Sequence, residues 1–191
     1  KEHIYIFQTK NGCDKSIENL MGIKEAQRQL AEENSDISII PTAAMTHHTD
    51  NCHFPLVNGY EIFADRLSPI ILRDFYNIPN SLDLDAPMIT NAYLTNNTQL
   101  TIETDATTNL QISTIAEDFE LHSDNNATIT NISVSVSNII ITSSADISDS
   151  NPKISYIAGL QGSPGGNFIT NSNGLEIVCF DKYPVSTETL S

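Results

Sequence analysis

Two different hydrophobic periods divide this chain. Residues 3–8, His-Ile-Tyr-Ile-Phe-Gln, are a short apolar run rich in β-branched and aromatic side chains, which predicts a buried strand. Beyond the turn Lys10-Asn11-Gly12, the residues Ile17, Leu20, Met21, Lys24, Gln27 and Leu30 recur at helical spacing, with Ala26 and Ala31 alongside. They predict an amphipathic helix ending near Asn34. Ile37-Ser38-Ile39-Ile40 predicts a second buried strand, stopped by Pro41, and a polar loop follows. Asn58 and Glu61 then have the spacing of a capping box, and Phe63, Leu67, Ile70 and Ile71 supply the apolar face of a second helix. Pro69 is expected to kink or split that helix near Ser68, because it lacks an N–H and its ring crowds the preceding turn.

Strand, helix, strand, helix is the grammar of a parallel sheet with helices on both faces. Two parallel strands are too few for a stable sheet, so the remaining strands are expected from residues before Lys1 or from another chain. The chain opens on Lys1 just ahead of a strand-like run, and sequence preceding it is expected. The period changes after Tyr76. From about Ala86 the chain breaks into short alternating segments: 98–103, 109–115, 128–136, 138–142, 153–157 and 175–180. Asn, Asp, Ser, Thr and Gly separate them, at a spacing that predicts an antiparallel sandwich. The organisation expected is therefore an α/β unit over 1–77, a linker over 78–86 and a β-sandwich over 87–191.

Charge narrows the partners. The formal net charge is −15, and residues 78–191 carry only Lys153 and Lys182 as cations. So acidic a surface does not grip a polyanion, so nucleic acid is excluded as the expected partner, while an uncharged polysaccharide stays compatible. No apolar run approaches the ~18 residues of a membrane span, and no membrane partner is expected. Cys13, Cys52 and Cys179 are odd in number and follow no metal-ligand spacing. They are expected as reduced thiols with at most one chance pair, not as a disulfide scaffold.

The polar loop carries the candidate chemistry. Asp50 and His53 are three residues apart after a predicted strand, where loops of open α/β sheets build sites. An Asp at that spacing can fold back onto the His ring, fix its tautomer and stabilise the imidazolium formed when the His takes a serine proton. His47, His48, Cys52 and His53 also offer imidazole and thiolate to a metal. Adjacent histidines diverge, however, and a solvated loop is the expected role of His47 and His48.

The order of these features resembles the carbohydrate O-acetylesterases of the SGNH type, the sialate O-acetylesterase and acetylxylan-esterase group. The match runs over residues 4–67, about a third of the chain. It comprises Ile4-Tyr5-Ile6-Phe7-Gln8, then Lys24-Glu25-Ala26-Gln27, then Ile37–Ile40. Asp50-Asn51-Cys52-His53, Gly59 and Asp65-Arg66-Leu67 complete it. The resemblance implies the C-terminal part of a three-layer α/β/α fold with a parallel sheet, with His53 as general base and Asp50 as its orienting carboxylate. Gln8 and Gln27 match family positions without an assigned chemistry, and Arg66 is expected in a helix-surface ion pair. Gly174-Leu175-Glu176-Ile177-Val178-Cys179-Phe180 is similar to the end of accessory β-domains that follow such esterases.

The family's serine block and oxyanion-hole blocks are missing. Gln161-Gly162-Ser163-Pro164-Gly165-Gly166 holds a serine among glycines, but the two glycines after it oppose the helix a nucleophile elbow needs. The resemblance thus implies that the serine sits on an N-terminal portion of the same protein, and that the substrate is an acetylated carbohydrate. It implies no metal and no organic cofactor. Extracellular or virion-surface placement follows from that substrate class, and a homo-oligomer is compatible with it. The alternative is a non-catalytic structural or carbohydrate-binding protein, such as a phage tailspike or fibre segment, which the Asn/Thr/Ser-rich strands resemble in composition. With no Trp, and Tyr93, Phe119, Tyr156, Phe168, Phe180 and Tyr183 as the available rings, sugar-stacking platforms in the β-rich half are scarce.

Overall fold

A computed structural model describes residues 2–46, 48–50, 52–79, 82–113, 118–148, 151–157 and 168–187. The first elements are β1 (Ile4–Phe7), α1 (Ile17–Glu33), β2 (Ile37–Ile40) and α2 (Glu61–Tyr76). Ser16 starts α1 by accepting from the Asn19 N–H, and Asn34 closes it by donating to the Leu30 carbonyl. The buried stripe of α1 is Leu20, Met21, Lys24, Arg28 and Ala31, whereas Ile17 and Leu30 face solvent. Pro69 does not end α2, which continues to Tyr76 and buries Ile70 against Ile40 and Leu84. That packing holds the helix through the missing N–H.

Among the described residues nine strands follow: β3 (Ile89–Asn96), β4 (Gln99–Thr104), β5 (Gln111–Ile112), β6 (Phe119–His122), β7 (Ile129–Ser135), β8 (Asn138–Ser143), β9 (Lys153–Tyr156), β10 (Ile169–Thr170) and β11 (Phe180–Pro184). They form antiparallel sheets in the orders β3-β4-β8-β7, β11-β9-β6 and β10-β5. At the centre, Leu100 opposes Ile141 and Ile102 opposes Ile139, all fully buried. Each such side chain contributes roughly 1.5–3 kcal/mol by leaving water. The expected run 175–180 is displaced: Glu176 makes an isolated bridge to Thr170, the Ile177 N–H donates to the Ile169 carbonyl and the Val178 N–H to the Pro87 carbonyl, and the strand proper begins at Phe180.

The expected α/β/α fold is not what forms. Among the described residues the chain is mostly β with two α-helices, and the only parallel sheet there is the two-stranded β1-β2. The reason lies in what α1 covers. Its Met21 enters the core of the antiparallel strands, Lys24 reaches Cys179, and the Arg28 guanidinium stands 5.6 Å from the centre of the Tyr183 ring. A face that would lie on further parallel strands is occupied by the β-rich part. The expected linker also contributes to packing, since Leu84 and Ala86 are buried with residues of α1, α2 and β2.

Candidate functional site

β1 and β2 run in register from Ile4↔Ile37 to Phe7↔Ile40, so their following loops leave the sheet at the same end. The Gln8 N–H donates to the Ile40 carbonyl and the Thr42 hydroxyl donates to the Gln8 carbonyl, which keeps the two loops together. Cys13 and Cys52 join them covalently, with Cα atoms 4.4 Å apart. This is the one pair that the sequence left open, without saying which cysteines would form it; Cys179 alone is a free, buried thiol among the described residues.

Within the second loop, Asp50 folds back on itself. Its Oδ1 accepts from the Cys52 and His53 N–H groups, both at 3.0 Å, and its Oδ2 accepts from His53 Nδ1 at 2.8 Å. The His53 N–H at Nδ1, reinforced by the two backbone donors, holds the Asp50 carboxyl well below the usual carboxylate range. With Nδ1 committed as a donor, the lone pair of the neutral ring lies on Nε2. The His53 side chain is 71 % exposed and that of Asp50 44 %, so this nitrogen is presented to solvent. The His48 N–H donates to the His53 carbonyl at 2.7 Å and closes the loop.

Phe54 packs edge-on against Phe63, ring centres 4.7 Å apart, and Phe63 in turn meets Phe7. Gly59 is required beneath this cluster: a Cβ there would stand 2.7 Å from the Pro55 ring and 3.2 Å from the Phe54 backbone. The Asn58 N–H donates to the Glu61 carboxylate, which is the backbone half of the expected capping box; Asn58 itself is left-handed and α2 begins at Glu61.

The other residues of the esterase resemblance hold parts together. The Gln8 side-chain amide pairs with the backbone of Cys179, donating to its carbonyl at 2.9 Å and accepting from its N–H at 3.0 Å. Gln27 accepts from the Thr9 N–H, and Glu25 accepts from the Asp181 N–H. Arg66 corrects its expected surface role. It makes a two-pronged pair with the fully buried Glu176, 3.0 Å on each prong, and also donates to the Pro41 carbonyl. Glu176 further accepts from the Ala44 N–H. Lys10 donates to the Ala43 carbonyl beside this pair; burial pushes its pKa down to about 8, opposed by Glu176 and reinforced by Lys24 and Arg66.

Sequence reasoning missed Glu176 and the Cys13–Cys52 bridge. The bridge had one signal, two cysteines on loops that follow neighbouring parallel strands. The metal alternative, already disfavoured by the diverging histidines, loses a ligand, since Cys52 is spent in the disulfide. His47 and the segment Gln161–Gly166 lie outside the described residues. No helix among the described residues is long and apolar enough to cross a membrane.

Fold and site together define a predominantly β chain whose short βαβα segment carries a solvent-facing Asp–His pair. No family model and no curated protein matches the chain. Among solved structures it is similar to the crystal structure of an S-layer protein, at 12% identity and a TM-score of 0.39. That similarity covers 54% of this chain and 14% of the other, so the chain spans about a seventh of the S-layer protein's length.

Proposed function

We propose that this chain supplies the base and the orienting carboxylate of a serine esterase that removes O-acetyl groups from a carbohydrate. The observation that carries this is the Asp50–His53 hydrogen bond at 2.8 Å, which leaves Nε2 of an exposed ring as the free base. Nε2 would take the proton of a serine hydroxyl as its oxygen adds to the acetyl carbonyl. The resulting imidazolium is stabilised by Asp50 and gives the proton to the sugar oxygen as its bond to the acetyl carbon breaks, releasing the sugar as its hydroxyl form. Water activated at the same nitrogen then hydrolyses the acetyl-enzyme. On this reading the serine and the oxyanion donors would come from polypeptide outside the 191 residues, and the chemistry calls for no metal or organic cofactor. An oxidising, extracellular or particle-surface setting is supported by the Cys13–Cys52 bridge.

The test joins this chain to its serine-bearing portion and measures hydrolysis of an aryl acetate. His53→Ala is expected to lower kcat by ~10³-fold or more. An unchanged rate refutes the assignment.

A second reading, a non-catalytic structural or glycan-binding segment, is favoured by one observation. Gln8, Gln27 and Arg66 all act as fasteners between loops and strands. Absence of a serine-bearing partner segment in the intact protein would decide for it.

A further inference from the structure

The loop that carries Asp50 and His53 is secured unevenly. Its first residues are bound tightly: Pro41 by Arg66, Ala43 by Lys10, Ala44 by Glu176, and Met45 by burial. Its end is fixed by the Phe54 ring against Phe63 and by the Tyr60 N–H donating to the Pro55 carbonyl. Between these anchors, residues 48–50 and 53 are exposed and Cys52 is half-buried. Their described hydrogen bonds stay within the loop itself. Among the described residues, a covalent link from this segment to the rest of the fold runs from Cys52 to Cys13.

Cys52 is also the residue Asp50 reads. Its N–H and that of His53 converge on Asp50 Oδ1, while Oδ2 holds the imidazole. On the other side of the bridge, Cys13 and Asp14 both hold left-handed backbone angles, φ 57° and 54°. L-residues adopt that conformation only where their surroundings impose it. Opening the bridge therefore frees two loops at once, one of them from a sparsely populated conformation.

We propose that the Cys13–Cys52 disulfide is the positioning device of the Asp50–His53 pair, so that its reduction uncouples the imidazole from its carboxylate while the β-rich core stays folded. The bridge is reached from solvent, Cys13 being exposed. A dithiol such as dithiothreitol attacks one sulfur through its thiolate and closes to its own cyclic disulfide. It thereby delivers two electrons, and Cys13 and Cys52 each end as a thiol. The functional consequence rests on the reading of His53 as a base; the structural coupling does not.

The experiment is nuclear magnetic resonance on this chain in three forms: oxidised, reduced with dithiothreitol, and Cys13→Ser/Cys52→Ser. It follows the His53 ring nitrogens, the Asp50 carboxyl carbon through a pH titration, and the amides of β4 and β8. The expected result is that reduction converts His53 from one fixed Nδ1–H tautomer to an averaged mixture. The Asp50 titration should climb toward the ordinary carboxylate range, and the β4 and β8 amides should not move. Unchanged His53 and Asp50 signals overturn the proposal, as does collapse of β4 and β8 with them, which would make the bridge a staple of the whole fold. Should the double variant not fold, the reduced native chain decides the matter. With the serine-bearing portion joined, reduction should lower kcat by up to ~100-fold and leave KM unchanged. An unchanged aryl-acetate rate in His53→Ala, alongside His53 and Asp50 signals that respond to reduction as expected, would overturn the esterase reading and leave this one standing.

Discussion

Replacing Arg66 by Met isolates the cation that neutralises the buried Glu176. The guanidinium supplies both of the 3.0 Å prongs on Glu176, which is 0% exposed, and a further bond to the Pro41 carbonyl. Without it, Glu176 keeps the Ala44 N–H and the attraction of the Lys10 ammonium, in an interior that solvates a carboxylate poorly. Removing one partner of a buried pair costs ~3–5 kcal/mol, against ~0–1 kcal/mol for an exposed pair. A domain commonly has about 5–15 kcal/mol in total, so Arg66→Met should leave the chain close to its unfolding threshold. Urea unfolding followed by far-ultraviolet circular dichroism measures it, with Glu176→Gln and the double variant completing a cycle. The double variant should lose less than Arg66→Met alone, because it also removes the stranded charge. A cost below ~1 kcal/mol for the single substitution would refute the burial argument, since that is the signature of a solvated surface pair.

Two further substitutions test neighbouring features. Gly59→Ala places a Cβ 2.7 Å from the Pro55 ring, which must yield together with the Phe54 backbone. Thermal unfolding should show a loss of about 1–3 kcal/mol, and the aromatic packing beside His53 should shift. Lys10 titrates near 8 in the folded chain and near 10.5 when unfolded. Between those values the unfolded state binds the extra proton, so stability should rise with pH over that interval. Solvent screening of this partly exposed ammonium reduces the effect, and Lys10→Met should abolish it; equal slopes in the two proteins would count against the assignment.

What could be read from the sequence was whatever the chain settles locally. The Asp50–His53 contact is such a case: an Asp whose carboxylate accepts from amides two and three residues ahead closes a turn without help from afar. The same holds for α1, whose cap and stop lie within a turn of its ends. β3 was obscured because its register shifts between Ile89 and Asn91 and again between Leu94 and Asn96, breaking the period of two. Arg66 and Glu176 are 110 residues apart, and no spacing rule reaches that far. The βαβα pattern was real, yet pattern alone does not say which sheet a helix will cover. Lys24 and Arg28 on the buried stripe of α1 were the clue that its neighbour would offer polar backbone and side chains, here Cys179 and Tyr183.

The pairing of the Gln8 amide with Cys179 sets an order of events during synthesis. These residues are 171 positions apart, and Glu25 waits for Asp181 across 156. A ribosome releases the acceptors long before their partners, so Gln8 and Lys24 emerge with their polar groups destined for a surface that does not yet exist. Such high contact order slows folding and lengthens the interval in which the β1 edge stands open to other chains. Truncated chains ending before Cys179 should therefore accumulate as aggregates, whereas a separately supplied C-terminal strand segment should rescue them by completing the pairing in trans.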